Sequence, residues 1–73
     1  MSTLKKRSVN LNGHATSVTM EEPFWDCLKD IAKEREVSLN ALIAEVDETR
    51  EGNLSSALRV FVLNWLKSGN IHN

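Results

Sequence analysis

The sequence predicts a mainly α-helical fold preceded by a short N-terminal β-hairpin, on three observations. Asn12-Gly13 separates two stretches of alternating polar and apolar residues, and this dipeptide signals a hairpin because both central positions of a type I′ turn need positive φ. Across residues 16–25 a period of two gives way to a period near 3.6, so a strand runs almost directly into a helix. Beyond it, apolar residues recur at helical spacing in segments punctuated by the cap and stop residues Ser38 and Gly52-Asn53.

Residues 1–4 carry no pattern and read as disordered, and residues 1–6 as a flexible basic arm. The hairpin is expected over 7–20. A two-residue turn sets Val9 opposite Thr16 and Arg7 opposite Val18, so Val9, Leu11, Val18 and Met20 share a face suited to a core. Lys6, Ser8, Asn10, Ala15, Ser17 and Thr19 share the other, which is mostly small and polar. In so short a chain, a strand fused to the first helix implies that a second copy supplies its missing partner.

A first helix is expected over 22–35. Glu21 and Glu22 suit the positive end of its dipole, and Pro23 fits a first turn whose N–H is unpaired anyway. Its buried stripe is Phe24, Leu28, Ile31 and Ala32, flanked by Trp25 and Cys27, while Asp26, Lys29, Asp30, Lys33 and Glu34 face water. Ser38 is a good N-cap for a second helix over 38–51, in which Leu39, Leu42, Ile43 and Val46 recur at helical spacing. A third helix over 54–67, capped by Asn53, Ser55 or Ser56, buries Leu54, Leu58, Phe61, Val62, Trp65 and Leu66. Val60 and Leu63 lie away from that stripe, and the extra apolar face argues for burial against a second chain. Residues 68–73 are expected to fray, with His72 among them.

At 73 residues the chain reads as one domain. A core of that size supplies about 3–5 kcal/mol unless a disulfide, a metal or oligomerisation adds to it. Cys27 is the only cysteine and cannot form an internal disulfide, which suits a reducing compartment. One cysteine and the separated His14 and His72 give no metal-ligand spacing, and no cofactor motif is present. No membrane span or secretory signal is legible, so a soluble cytoplasmic protein is expected. Nucleophile, base and orienting acid do not come together in the pattern, and the carboxylates at Asp26, Asp30 and Glu34 read as one solvated helical side, so an enzyme is not expected.

The net charge of -1 hides an asymmetry. Residues 1–20 hold Lys5, Lys6 and Arg7 and no acid, whereas residues 21–53 hold all 10 Asp and Glu. A polyanion would be met by the N-terminal segment and repelled by much of the body.

From Thr16 to Asp47, the short strand, the acidic helix start, Leu28-Lys29-Asp30-Ile31-Ala32, the turn and Ser38-Leu39-Asn40-Ala41-Leu42-Ile43 resemble the ribbon-helix-helix DNA-binding family. The resemblance implies an intertwined homodimer, here with an additional C-terminal helix, in which strands of two chains pair as a ribbon that enters the major groove of double-stranded DNA. It implies groove contacts from Ala15, Ser17 and Thr19, to which the preceding strand adds Lys6, Ser8 and Asn10. It implies phosphate contacts from the N–H groups near Ser38, Leu39 and Asn40 at a helix N-terminus, beside the basic residues Lys5 and Arg7. Val18, Met20, Leu42, Ile43, Val46, Phe61 and Trp65 would form the dimer interface.

The chain departs from the family pattern in presenting Ser and Thr, which give single hydrogen bonds, where bidentate Arg or Asn side chains often stand. It also has Arg35-Glu36 in an interhelix turn that usually holds glycine. Which of the two strands pairs across a dimer is open at this level. The leading expectation is a bacterial-type homodimeric transcriptional regulator. The alternative is a protein-interaction module, such as an antitoxin or adaptor, that keeps the dimeric fold without strong DNA binding.

Overall fold

The computed structural model describes residues 4–69. Its elements run β1 (Leu4–Leu11), β2 (His14–Glu21), α1 (Glu22–Glu34), α2 (Leu39–Thr49) and α3 (Leu54–Lys67). The strands form a two-stranded antiparallel ribbon, and the three helices pack against one of its faces.

Asn12 and Gly13 take φ of 54° and 85°, which turns the chain tightly enough for Leu11 to face His14. From there the register runs through Val9↔Thr16 and Arg7↔Val18 to Leu4↔Glu21. The ribbon is longer at its open end than alternation predicts. Leu4, Lys5 and Lys6 lie in β1 instead of a flexible arm, because backbone pairing continues to Glu21 and the Lys5 ammonium meets the Glu22 carboxylate at 3.0 Å. Residues 1–3 and 70–73, including the tail with His72, lie outside the described residues.

The strand fused to α1 is paired on one edge by β1 of the same chain.

Val9, Leu11, Val18 and Met20 on the inner face meet Leu28, Ile31 and Ala32 of α1, Leu42, Ile43 and Val46 of α2, and Leu58 and Val62 of α3 in one buried cluster. Phe24, Trp25, Cys27, Phe61 and Trp65 are half-buried around it. Five of the residues assigned from sequence to a dimer interface, Val18, Met20, Leu42, Ile43 and Val46, thus belong to the core of a single chain. Apolar spacing marks them for burial but does not say by which chain. Leu66, expected in the buried stripe of α3, is 41% exposed.

The helix ends explain the tight connections. At the end of α1, Glu36 takes φ 59° and donates to Lys33 O at 3.1 Å, while Val37 N–H donates to Ala32 O at 3.0 Å. This is a Schellman motif with glutamate in the position that favours glycine. Glu36→Gly relieves that left-handed conformation, and the net gain is expected to be about 0.5–1 kcal/mol after the unfolded-state entropy of glycine is subtracted, measured by urea denaturation.

Ser38 caps α2, its Oγ accepting from Ala41 N–H at 3.0 Å, and Asn53 caps α3 by accepting from Ser56 N–H at 2.8 Å. Ser38→Ala is expected to cost about 1 kcal/mol in the same assay. α2 ends at Thr49, two residues before the expected limit, where Arg50 turns to bind Asp47 and the Gly52 carbonyl.

Candidate nucleic-acid interface

The face of the ribbon turned away from the helices is the polar surface of interest. Strand alternation places Lys6, Ser8 and Asn10 of β1 and Ala15 and Ser17 of β2 there, all exposed. They stand in facing pairs, Asn10↔Ala15, Ser8↔Ser17 and Lys6↔Thr19. The longer donors and acceptors are on β1, and β2 contributes small side chains. Thr19 is half-buried, and its N–H donates to Ser55 Oγ of α3 at 3.2 Å, so α3 covers that end of β2. A two-stranded ribbon fits the roughly 12 Å width of the B-DNA major groove, whereas a helix-covered sheet face cannot enter it.

The structure separates the three basic residues that stand together in the sequence. Lys6 is on the outer face and has no carboxylate partner among the described residues. Arg7 is on the inner face, where its guanidinium lies 4.6 Å from the centroid of the Trp25 ring and Nη2 donates to Glu22 at 2.9 Å. Its Nη1 is buried without a hydrogen-bond partner among the described residues. Lys5 binds the same Glu22 carboxylate oxygen. Lys5 and Arg7, expected at phosphates, thus also make internal contacts, because the register brings them to the start of α1.

Hydrogen bonding from Lys5, and then from Arg7, holds the Glu22 carboxyl below its ordinary value of 4.5. Arg59 does the same for Glu21, at 2.9 Å. A lowered folded pKa means that the unfolded chain binds more protons between the two values, so this stabilisation is present above about pH 4.5 and is lost as pH falls through the folded pKa. Melting temperature is expected to fall more steeply on acidification below that point in the wild type than in Glu22→Gln, whose remaining slope includes the Glu21 contribution.

Sequence reasoning missed this cluster, although the register Leu4↔Glu21 already implies that Lys5 and Glu22 are neighbours.

At the second expected contact, the start of α2, the Ser38 hydroxyl is occupied as a cap, while the Leu39 and Asn40 N–H groups have no acceptor among the described residues. They are the free donors of a first helical turn. The nearby Arg35 is bound by both oxygens of Glu45, at 3.2 and 3.1 Å. No group of three or more His, Cys, Asp and Glu that could hold a metal occurs among the described residues. None of the described helices is long and apolar enough to cross a membrane.

The fold is a polar two-stranded ribbon backed by helices, and comparison with known proteins gives the family. A ribbon-helix-helix domain model matches residues 4–66, and the chain belongs to that family. It is similar to the solved structure of an uncharacterized protein from Bordetella pertussis Tohama I, with 32% identity and a TM-score of 0.75. The match covers 94% of this chain and 62% of that one, so this chain spans less than two thirds of its length. No curated protein matches the chain.

Proposed function

We propose that the protein is a homodimeric, sequence-specific DNA-binding regulator of transcription that acts in the cytoplasm and needs no cofactor or catalytic chemistry. The observation that carries this reading is the outer ribbon face, where Lys6, Ser8, Asn10, Ala15 and Ser17 stand exposed on two paired strands. Lys6 and the amide of Asn10 are the side chains best suited to base edges, and the small residues of β2 let that strand approach closely. The free N–H groups at Leu39 and Asn40 supply a phosphate contact. Ribbon-helix-helix proteins generally bind DNA as dimers, which supports the class of function.

The test is a fluorescence-anisotropy titration of labelled duplex DNA at two salt concentrations. Affinity is expected to fall as salt rises, with a log–log slope of about -0.9 for each phosphate neutralised. Absence of binding to random duplex at low salt, and to a library of duplexes selected against the protein, would refute it.

A second reading, a protein-interaction module, is favoured by one observation. Six of the nine Lys and Arg side chains are held by carboxylates of the same chain, leaving Lys6, Lys33 and Lys67 without such a partner among the described residues. So few free cations give weak non-specific attraction to a polyanion, and that reading predicts no strong DNA binding even at low salt.

A further inference from the structure

Two cations and one carboxylate meet at the open end of the ribbon. Glu22 Oε2 lies 3.0 Å from Lys5 Nζ and 2.9 Å from Arg7 Nη2, so a single oxygen serves both. The three side chains are held very differently. The Arg7 side chain is 22% exposed and is fixed from a second side by the Trp25 ring, 4.6 Å from its guanidinium, whereas the Lys5 side chain is 56% exposed. Glu22 is favoured in turn by its place in the first turn of α1, at the positive end of the helix dipole. Arg7 and the helix thus hold Glu22, and Glu22 holds Lys5.

An exposed ammonium and carboxylate bind each other weakly, because water screens the charges and two side chains lose freedom in the contact. A neighbouring phosphodiester offers the same ammonium a comparable partner, and its neutralisation also releases counterions from the duplex. Lys5 is placed for that exchange. It is joined directly to Lys6 of the outer face, and β1 pairs only with β2 among the described residues, so the flexible four-carbon stem of Lys5 stands beside an unpaired strand edge. Glu21, the neighbouring acid, is itself bound by Arg59 at 2.9 Å.

We propose that Glu22 competes with DNA phosphate for Lys5, lowering the number of phosphates the ribbon neutralises and so setting the affinity and salt dependence of binding. This role rests on the DNA-binding reading above and adds to it a residue that restrains the activity. A carboxylate that only pinned the ribbon to α1 would change stability and leave the salt slope alone.

The experiment is an anisotropy titration of the full chain against labelled random duplex at several salt concentrations, with circular dichroism to follow folding. Glu22→Gln keeps the shape of the side chain and removes its charge. It is expected to bind about three- to tenfold more tightly at low salt and to steepen the log–log slope by about 0.9 per chain. Glu34→Gln makes the same change of charge at the far end of α1, about 18 Å along the helix axis, and is expected to keep the wild-type slope near 0.1 M salt, where the Debye length is about 10 Å.

The decisive measurement adds Lys5→Gln to each background. Its effect on the slope is expected to be small in the wild type, where Glu22 holds Lys5, and about 0.9 per chain in Glu22→Gln, where Lys5 is free. Should E22Q fail to fold, E22D decides: it keeps the charge at the helix start, draws it back from Lys5 by one methylene, and is expected to steepen the slope in the same direction. An unchanged slope in the variant that folds, or a Lys5→Gln effect of equal size in both backgrounds, would overturn the role of Glu22 and leave the DNA-binding reading standing. A wild type that binds neither random nor selected duplexes would overturn both.

Discussion

Replacing Leu58 by alanine is expected to unfold most of the protein at room temperature. Leu58 is fully buried on α3, within the cluster that also holds Val18, Met20, Leu28 and Leu42. Truncating a leucine in such a site removes its transfer free energy and leaves a cavity, at a cost of about 2–5 kcal/mol. A chain of this size has only about 3–5 kcal/mol to lose, so one substitution consumes most of it. Val60, two residues away on the same helix, is 55% exposed, and Val60→Ala is expected to change stability by no more than about 0.5 kcal/mol in the monomer. Urea denaturation followed by circular dichroism compares the two. Equal effects would show that α3 is not an integral part of the core.

The second large effect concerns the ribbon. Lys6→Glu reverses a cation on the outer face that has no carboxylate partner among the described residues, and it is expected to lower affinity for duplex DNA by about tenfold or more at low salt. It should also reduce the magnitude of the log–log salt slope by about 0.9 per chain. Lys5→Gln, one residue away, is expected to leave the slope nearly unchanged because Lys5 is held by Glu22. Anisotropy titrations of the two variants side by side separate a surface that reads DNA from a general loss of positive charge. Equal slopes for Lys6→Glu and the wild type would exclude Lys6 from the interface.

These two predictions mark the boundary of what the sequence makes legible. Asn12-Gly13 and the alternation on both sides of it are enough to derive the hairpin register, and Ser38 followed by periodic leucines is enough to place a capped helix, because both signals act within a few residues. The outer ribbon face follows from that register by alternation alone.

Long-range choices are not written in this way. Glu21 and Arg59 are 38 residues apart, and their pairing depends on how α3 lies against β2. The inward turn of Arg7 onto Trp25 depends on where α1 sits beneath the ribbon. Apolar periodicity identifies Leu42, Ile43 and Val46 as buried but is blind to whether the covering surface comes from the same chain. Here the chain's own strands and helices bury Leu42, Ile43 and Val46, while Leu4, Val37, Val60, Leu63 and Leu66 are the large apolar side chains left exposed among the described residues.

The two-residue turn at Asn12 and Gly13 also fixes the reaction order in which the two strands pair. A ribbon built from strands of two chains exists only as long as the two chains remain associated, so it disappears on dilution. Here the strands are joined by the shortest common hairpin connection, closing on the microsecond scale of an isolated hairpin and without a second-order step. Pairing of β1 with β2 therefore needs no encounter between chains, and association can add stability, reach and avidity to a face that each chain already carries.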